Sequence, residues 1–227
     1  MVNHDVSKEA YRKNDIVRWV ASLALGMLVV LWRVVLPTNA GVTQGMAILI
    51  TVLDLVITVA VVFLNRKELK KAFAKRFTFK DTGKTALLMV VDFIIIVIVT
   101  ALVSINSVPL PDLTTANAPA ELVATEFRAI FAIGAFISMV VLAPVWEEIV
   151  FRLAGKNLLR NGFVFVIVTP CLFAFIHTAN FSIADNLFYI VTGVNYAVAY
   201  LLFKDIRIMI AAHFVWNLIS GVGALLS

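Results

Sequence analysis

Seven ionisable side chains and one amide stand inside otherwise apolar stretches of the chain: Asp54, Asp92, Glu147, Glu148, Arg152, His177 and His213, with Asn217. Placing such a charge within a membrane span costs at least about 2.5–3.5 kcal/mol on insertion scales, so each one needs a reason. Glu148 and Arg152 are spaced i,i+4 and can pair on one helix face. Glu147 points about 100° away from Glu148 on an ideal helix and is directed elsewhere. His213 and Asn217 are again i,i+4, and His177 stands one turn after Phe173. A carboxylate beside an imidazole suits a general base for water, and an imidazole with an amide can donate to an oxyanion. Each motif alone also has a bland reading: a solvated helix end, a histidine bonded to a backbone carbonyl, or a hydrogen bond between helices.

Other chemistries fit less well. There is no Gly-x-Ser-x-Gly for a serine nucleophile. Asp54 and Asp92 could suggest an aspartyl pair, but neither has flanking glycines, and each is read as an inter-helix hydrogen bond or a partner for a basic residue. The single Cys171 excludes a disulfide framework and a thiolate zinc site.

The elements that must position these groups follow from composition. Of 227 residues, 62% are hydrophobic and 15% charged, with a mean hydropathy of +0.99. That places the chain in the membrane class, without room for a sizeable soluble domain. Residues 1–18 are a polar, basic segment. The apolar stretch 19–36 is longer than the hydrophobic part of a signal peptide and reads as a span. Further spans are expected at 46–64 and 85–104, so that 19–104 holds three helices. Between the last two lies a basic segment, 65–84, where Leu69, Phe73 and Phe77 recur at helical spacing, which reads either as an amphipathic helix on an anionic lipid surface or as a solvated cytoplasmic loop. Residues 105–126, with three prolines, three acids and no Lys or Arg, form a loop. The remaining 127–227 form a four-helix core: a helix from about Glu126 toward Arg160, a turn at Asn161-Gly162, and spans at 163–178, 186–203 and from 207 onward.

The net charge of +5 reads as topology rather than nucleic-acid binding. With the N-terminus in the cytoplasm, all of the 19 Lys and Arg except Arg33 and Arg128 fall on the cytoplasmic side, and the acidic 105–126 loop falls outside. The expected fold is an all-α polytopic membrane bundle of about seven transmembrane helices with a cytoplasmic N-terminus. The Asn161-Gly162 turn lies midway between Glu147 and His177, so an antiparallel pair places both at nearly one depth. His213 and Asn217 enter the last span from the same side, and the four groups converge in a cavity open to the cytoplasm.

Glu147-Glu148-x-x-x-Arg152, Phe173-x-x-x-His177 and His213-x-x-x-Asn217 together resemble the three signature motifs of the CAAX-protease and bacteriocin-processing (CPBP/Abi) family, in the right order. The resemblance covers residues 127–225. It implies a glutamate-type intramembrane endopeptidase in which Glu147 and His177 activate water and His213 and Asn217 hold the oxyanion. Glu148, Arg152 and Phe173 are then structural support. No metal is implied, and His-Glu-x-x-His is absent; the alternative is zinc on Glu147, His177 and His213. The implied substrate is a peptide or membrane-anchored protein, such as a bacteriocin-like or leader peptide, cut near the cytoplasmic face of a bacterial cell membrane, with self-immunity as a role. Two other classes compete. One is a non-catalytic immunity or scaffold protein. The other is a small proton-coupled transporter, for which repeats or broken helices would be expected.

Overall fold

The structure, a computed structural model, describes residues 13, 15–28, 44–105, 128–178 and 182–226. The 105–126 loop beyond its first residue, the turn before Gln44, Arg33, most of the N-terminal segment and the start of the 179–185 link lie outside the described residues. Every regular element among the described residues is a helix. In chain order these are α1 (residues 15–28), α2 (Gln44–Leu64), α3 (Arg66–Phe73), α4 (Phe79–Ile105), α5 (Arg128–Ile137), α6 (Ala143–Glu147), α7 (Gly155–Leu159), α8 (Gly162–Thr178), α9 (Ile183–Phe203) and α10 (Ile206–Leu226).

Four helical stretches are long and apolar enough to cross a membrane: Phe79–Leu102, Ile133–Leu159, Asn186–Phe203 and Ile206–Gly223. Thr51–Leu64 and Gly162–Thr178 are shorter apolar helices. The large apolar residues of α4, such as Leu87, Val90, Ile94 and Ile98, are about half exposed, as expected of a face that meets lipid.

The stretch 128–159 is continuous but not uniformly α-helical. Two wide π-helical segments, Ser138–Leu142 and Glu148–Ala154, flank α6. Pro144 explains the first. It lies in the opening turn of α6 and cannot donate to the preceding turn, so the ladder slips to a wider register there. The helix ends at Arg160, which takes a left-handed φ of 47°. Asn161 Oδ1 then accepts from the backbone N–H groups of Phe163 (2.9 Å) and Val164 (3.3 Å), capping α8. The turn expected at Asn161-Gly162 is therefore present, and the asparagine side chain builds it.

Helices α8 and α9 pack along one another as an extensive antiparallel pair. A side chain at Gly193 would begin 3.0 Å from Cα and Cβ of Pro170. Such proximity favours glycine, because an added Cβ would require Pro170 to shift by a few tenths of an ångström. Helix α4 packs on α9 and α10, and α2 packs on the 128–159 helix.

The basic segment departs from expectation. The helical spacing of Leu69, Phe73 and Phe77 holds only to Phe73; α3 then stops, and α4 begins at Phe79 rather than Thr85. The cause is a capping box. Thr78 Oγ1 accepts from the Asp81 N–H (3.3 Å), while Asp81 Oδ2 accepts from the Thr78 N–H (2.9 Å). The elbow between α3 and α4 is pinned by Arg207, which donates to the Lys75 carbonyl and stacks over Phe77 at 5.5 Å. Asp205, in the α9–α10 turn, accepts from Arg207 Nη2 at 2.6 Å. Partial burial pushes the Asp205 carboxyl up, but the hydrogen bonds from Arg207 outweigh it and hold the group below the usual carboxylate range.

Candidate active site

Glu147 ends α6, and Glu148 opens the second π segment. Both are buried, at 2% and 0% exposure, and Arg152 beside them is at 1%. Three charges this deep in an apolar bundle would unfold it unless they answered one another.

The answer centres on His213 of α10. Its Nδ1 donates to Glu148 Oε1 at 2.9 Å, and its Nε2 lies 3.8 Å from Glu147 Oε2. The expectation that the adjacent glutamates part company is thus only half met. They reach opposite edges of one imidazole, because the ring's two nitrogens are far enough apart to meet both directions. Arg152 Nε stands 3.3 Å from Glu148 Oε2, which is the expected i,i+4 pair. Its guanidinium also faces two aromatic rings, Phe173 at 5.0 Å and Tyr196 at 5.6 Å. Those contacts compensate a cation that has little water around it.

His177 of α8 places Nδ1 2.7 Å from the Phe173 carbonyl. A carbonyl only accepts, so Nδ1 carries the hydrogen, and in the neutral ring Nε2 is left as an acceptor. Phe173 packs on the same ring at 4.5 Å. From α9, Tyr189 stacks on it at 4.3 Å with planes 21° apart. Tyr196, two turns further along α9, meets His213 edge-on at 5.8 Å.

Asn217 lies one turn beyond His213, but its amide is turned to another partner. Its Nδ2 donates to the Met139 carbonyl at 2.8 Å. Met139 belongs to the first π segment, where the slipped ladder makes a carbonyl available to a side chain. The structure therefore gathers Glu147, Glu148, Arg152 and His213 by direct contact and joins His177 to them through Phe173, which is 6.4 Å from His213. It gives Asn217 a backbone partner on the same helix as the glutamates.

Among the described residues no three His, Cys, Asp or Glu side chains are grouped as a metal site would need, the set Glu147, His177 and His213 included. Asp54 and Asp92 are each 1% exposed. Asp92 Oδ1 accepts from Asn195 Nδ2 of α9 at 3.0 Å, the inter-helix bond expected for it.

Sequence reasoning did not single out Tyr189, Tyr196, Asn195 or the Met139 carbonyl. Tyr189 and Tyr196 carried a legible signal, because their spacing of two helical turns puts both on one face of α9.

Residues 129–219 match the family described as Type II CAAX prenyl endopeptidase Rce1-like, a family of peptidases. The match spans all three motifs and excludes α1 to α4. Among curated proteins and solved structures, none matches the chain.

Proposed function

We propose, from the match of residues 129–219 to the Rce1-like family of type II CAAX prenyl endopeptidases, that this multi-pass membrane protein is a glutamate-type intramembrane endopeptidase. The observation that carries the reading is the buried Glu147 carboxylate facing Nε2 of a histidine whose other nitrogen is held by a second carboxylate. Glu147 is the general base for the hydrolytic water, and His177, its Nδ1 held by the Phe173 carbonyl, assists it as a proton acceptor at Nε2. His213, fixed in direction by Glu148, donates to the developing oxyanion from Nε2 when it carries its second proton. Asn217 is the second donor to that oxyanion, after its amide leaves the Met139 carbonyl. Glu148, Arg152 and Phe173 orient the histidines. The chemistry uses protein groups alone, so a chelator leaves the cut intact.

The substrate is a peptide or membrane-anchored protein cut near the cytoplasmic face of a bacterial cell membrane, with bacteriocin or leader-peptide processing and self-immunity as the role. The bundle has seven spans, α1 and α2 included, with a cytoplasmic N-terminus; the one-sided distribution of Lys and Arg supports that orientation. One observation favours a packing role instead: the Asn217 amide is occupied by Met139, as in a scaffold that keeps the motif for helix contacts.

The two readings separate when cells producing the wild-type protein are compared with cells producing Glu147→Gln at equal levels. A peptidase predicts a precursor that accumulates uncut only with the variant, readable by mass spectrometry of small proteins. Identical peptide profiles would favour the scaffold.

A further inference from the structure

Seven Lys and Arg residues but one acid fall between positions 66 and 80. That acid, Glu68, is turned to the protein: Arg18 Nη2 and Nη1 donate to its two oxygens at 2.9 and 3.2 Å. Partial burial raises the Glu68 carboxyl, and the Arg18 bond with a backbone bond brings it below the ordinary carboxylate range. Leu69 is the buried anchor of α3. With Glu68 and Leu69 facing inward, Lys70 and Lys71 are left exposed, and Lys75 and Arg76 follow on the exposed elbow. A shallow open hollow is lined by Lys67, Glu68, Lys70, Lys71 and Ala74.

The same short region exposes large aromatic rings. Phe73 is 60% exposed, Phe77 42% and Phe79 93%. Phe79 also opens the candidate span Phe79–Leu102. Cations and bare rings thus meet where an apolar helix begins. The elbow cannot simply fold them away, because Arg207 fastens it through the Lys75 carbonyl.

We infer that the α3–α4 elbow is a binding platform for anionic phospholipid, with Lys70, Lys71 and Lys75 on the headgroup phosphate and Phe77 and Phe79 among the acyl chains. An acidic protein or a nucleic acid would meet the cations but leave the rings in water. A phospholipid satisfies both, because its charge and its apolar chains are joined at the depth where this helix starts. The attraction is between surface charges and is therefore screened by salt. This inference does not depend on the peptidase reading.

The test uses the full-length protein in a neutral detergent, mixed with equal amounts of phosphatidylglycerol and phosphatidylcholine. The lipid retained after gel filtration is quantified. Wild type should hold phosphatidylglycerol over phosphatidylcholine by about tenfold at low salt, with the preference lost near 0.5 M salt, where the screening length falls to a few Å, roughly 4 Å. Lys70→Gln/Lys71→Gln/Lys75→Gln should elute as the wild type does and retain both lipids equally. Equal retention by the wild type would overturn the inference, as would a preference that survives the triple replacement. Displacement of the lipid by millimolar inorganic phosphate would also overturn it, since the site would then be one for a free anion.

Discussion

His213 has a carboxylate at each edge of its ring, and the two are held differently. Glu148 is hydrogen-bonded to the ring and paired with Arg152, whereas Glu147 stands 3.8 Å from Nε2. Losing Arg152 would strand Glu148 in an apolar interior, a change that costs about 3–5 kcal/mol for a buried pair. Arg152→Met should therefore lower both the yield and the melting temperature of the purified protein. Glu147→Gln keeps the shape and should melt close to the wild type. Equal melting of all three proteins would contradict this division between support and chemistry. The charged members of the site were legible in the sequence because an ionisable residue in an apolar span is conspicuous. The aromatic walls were legible only as Tyr189 and Tyr196 sharing one face of α9, a spacing that does not by itself mark a site. The partner of Asn217 had no sequence letter at all: it is a backbone carbonyl made available by a π segment.

At the level of elements, α8 and α9 depend on the contact of Gly193 with Pro170. A larger side chain there pushes the helices apart, because what it meets first is Pro170 Cα and the rigid proline ring at Cβ. Gly193→Leu should cost about 1–3 kcal/mol, as overpacking does, and should separate His177 from Tyr189. Ultraviolet circular dichroism with thermal melting checks the stability, and unchanged melting would show that the helices have slack. Helix existence was readable from apolar runs, and the i,i+4 motif pairs gave the faces correctly. The interruption of the basic segment was missed because its apolar spacing continues to Phe77, while a local Thr78–Asp81 capping box restarts the helix at Phe79. The π segments were missed because periodicity reports the average register of a helix and not a local slip, such as the one beside Pro144.

For the whole molecule, α4 lies outside the family match yet packs against both α9 and α10. Asp92 bonds Asn195, beside Tyr196, and Phe93 meets Trp216 at 6.5 Å, beside Asn217. Two adjacent residues of α4 thus brace the two helices that carry the walls and donors of the site. Asp92→Leu removes one inter-helix hydrogen bond, worth about 0.6–1.7 kcal/mol in a membrane bundle. It should lower the melting temperature modestly, and a drop as large as that of Arg152→Met would mean that Asp92 does more than brace. The central claim is that Glu147 performs hydrolysis. It is tested most directly by reconstituting purified wild type and Glu147→Gln in vesicles with the accumulated precursor and following new termini by mass spectrometry. Loss of the general base predicts a single defined cut by the wild type, slowed about 10²–10⁴-fold in the variant. Cutting at the wild-type rate by Glu147→Gln would contradict it.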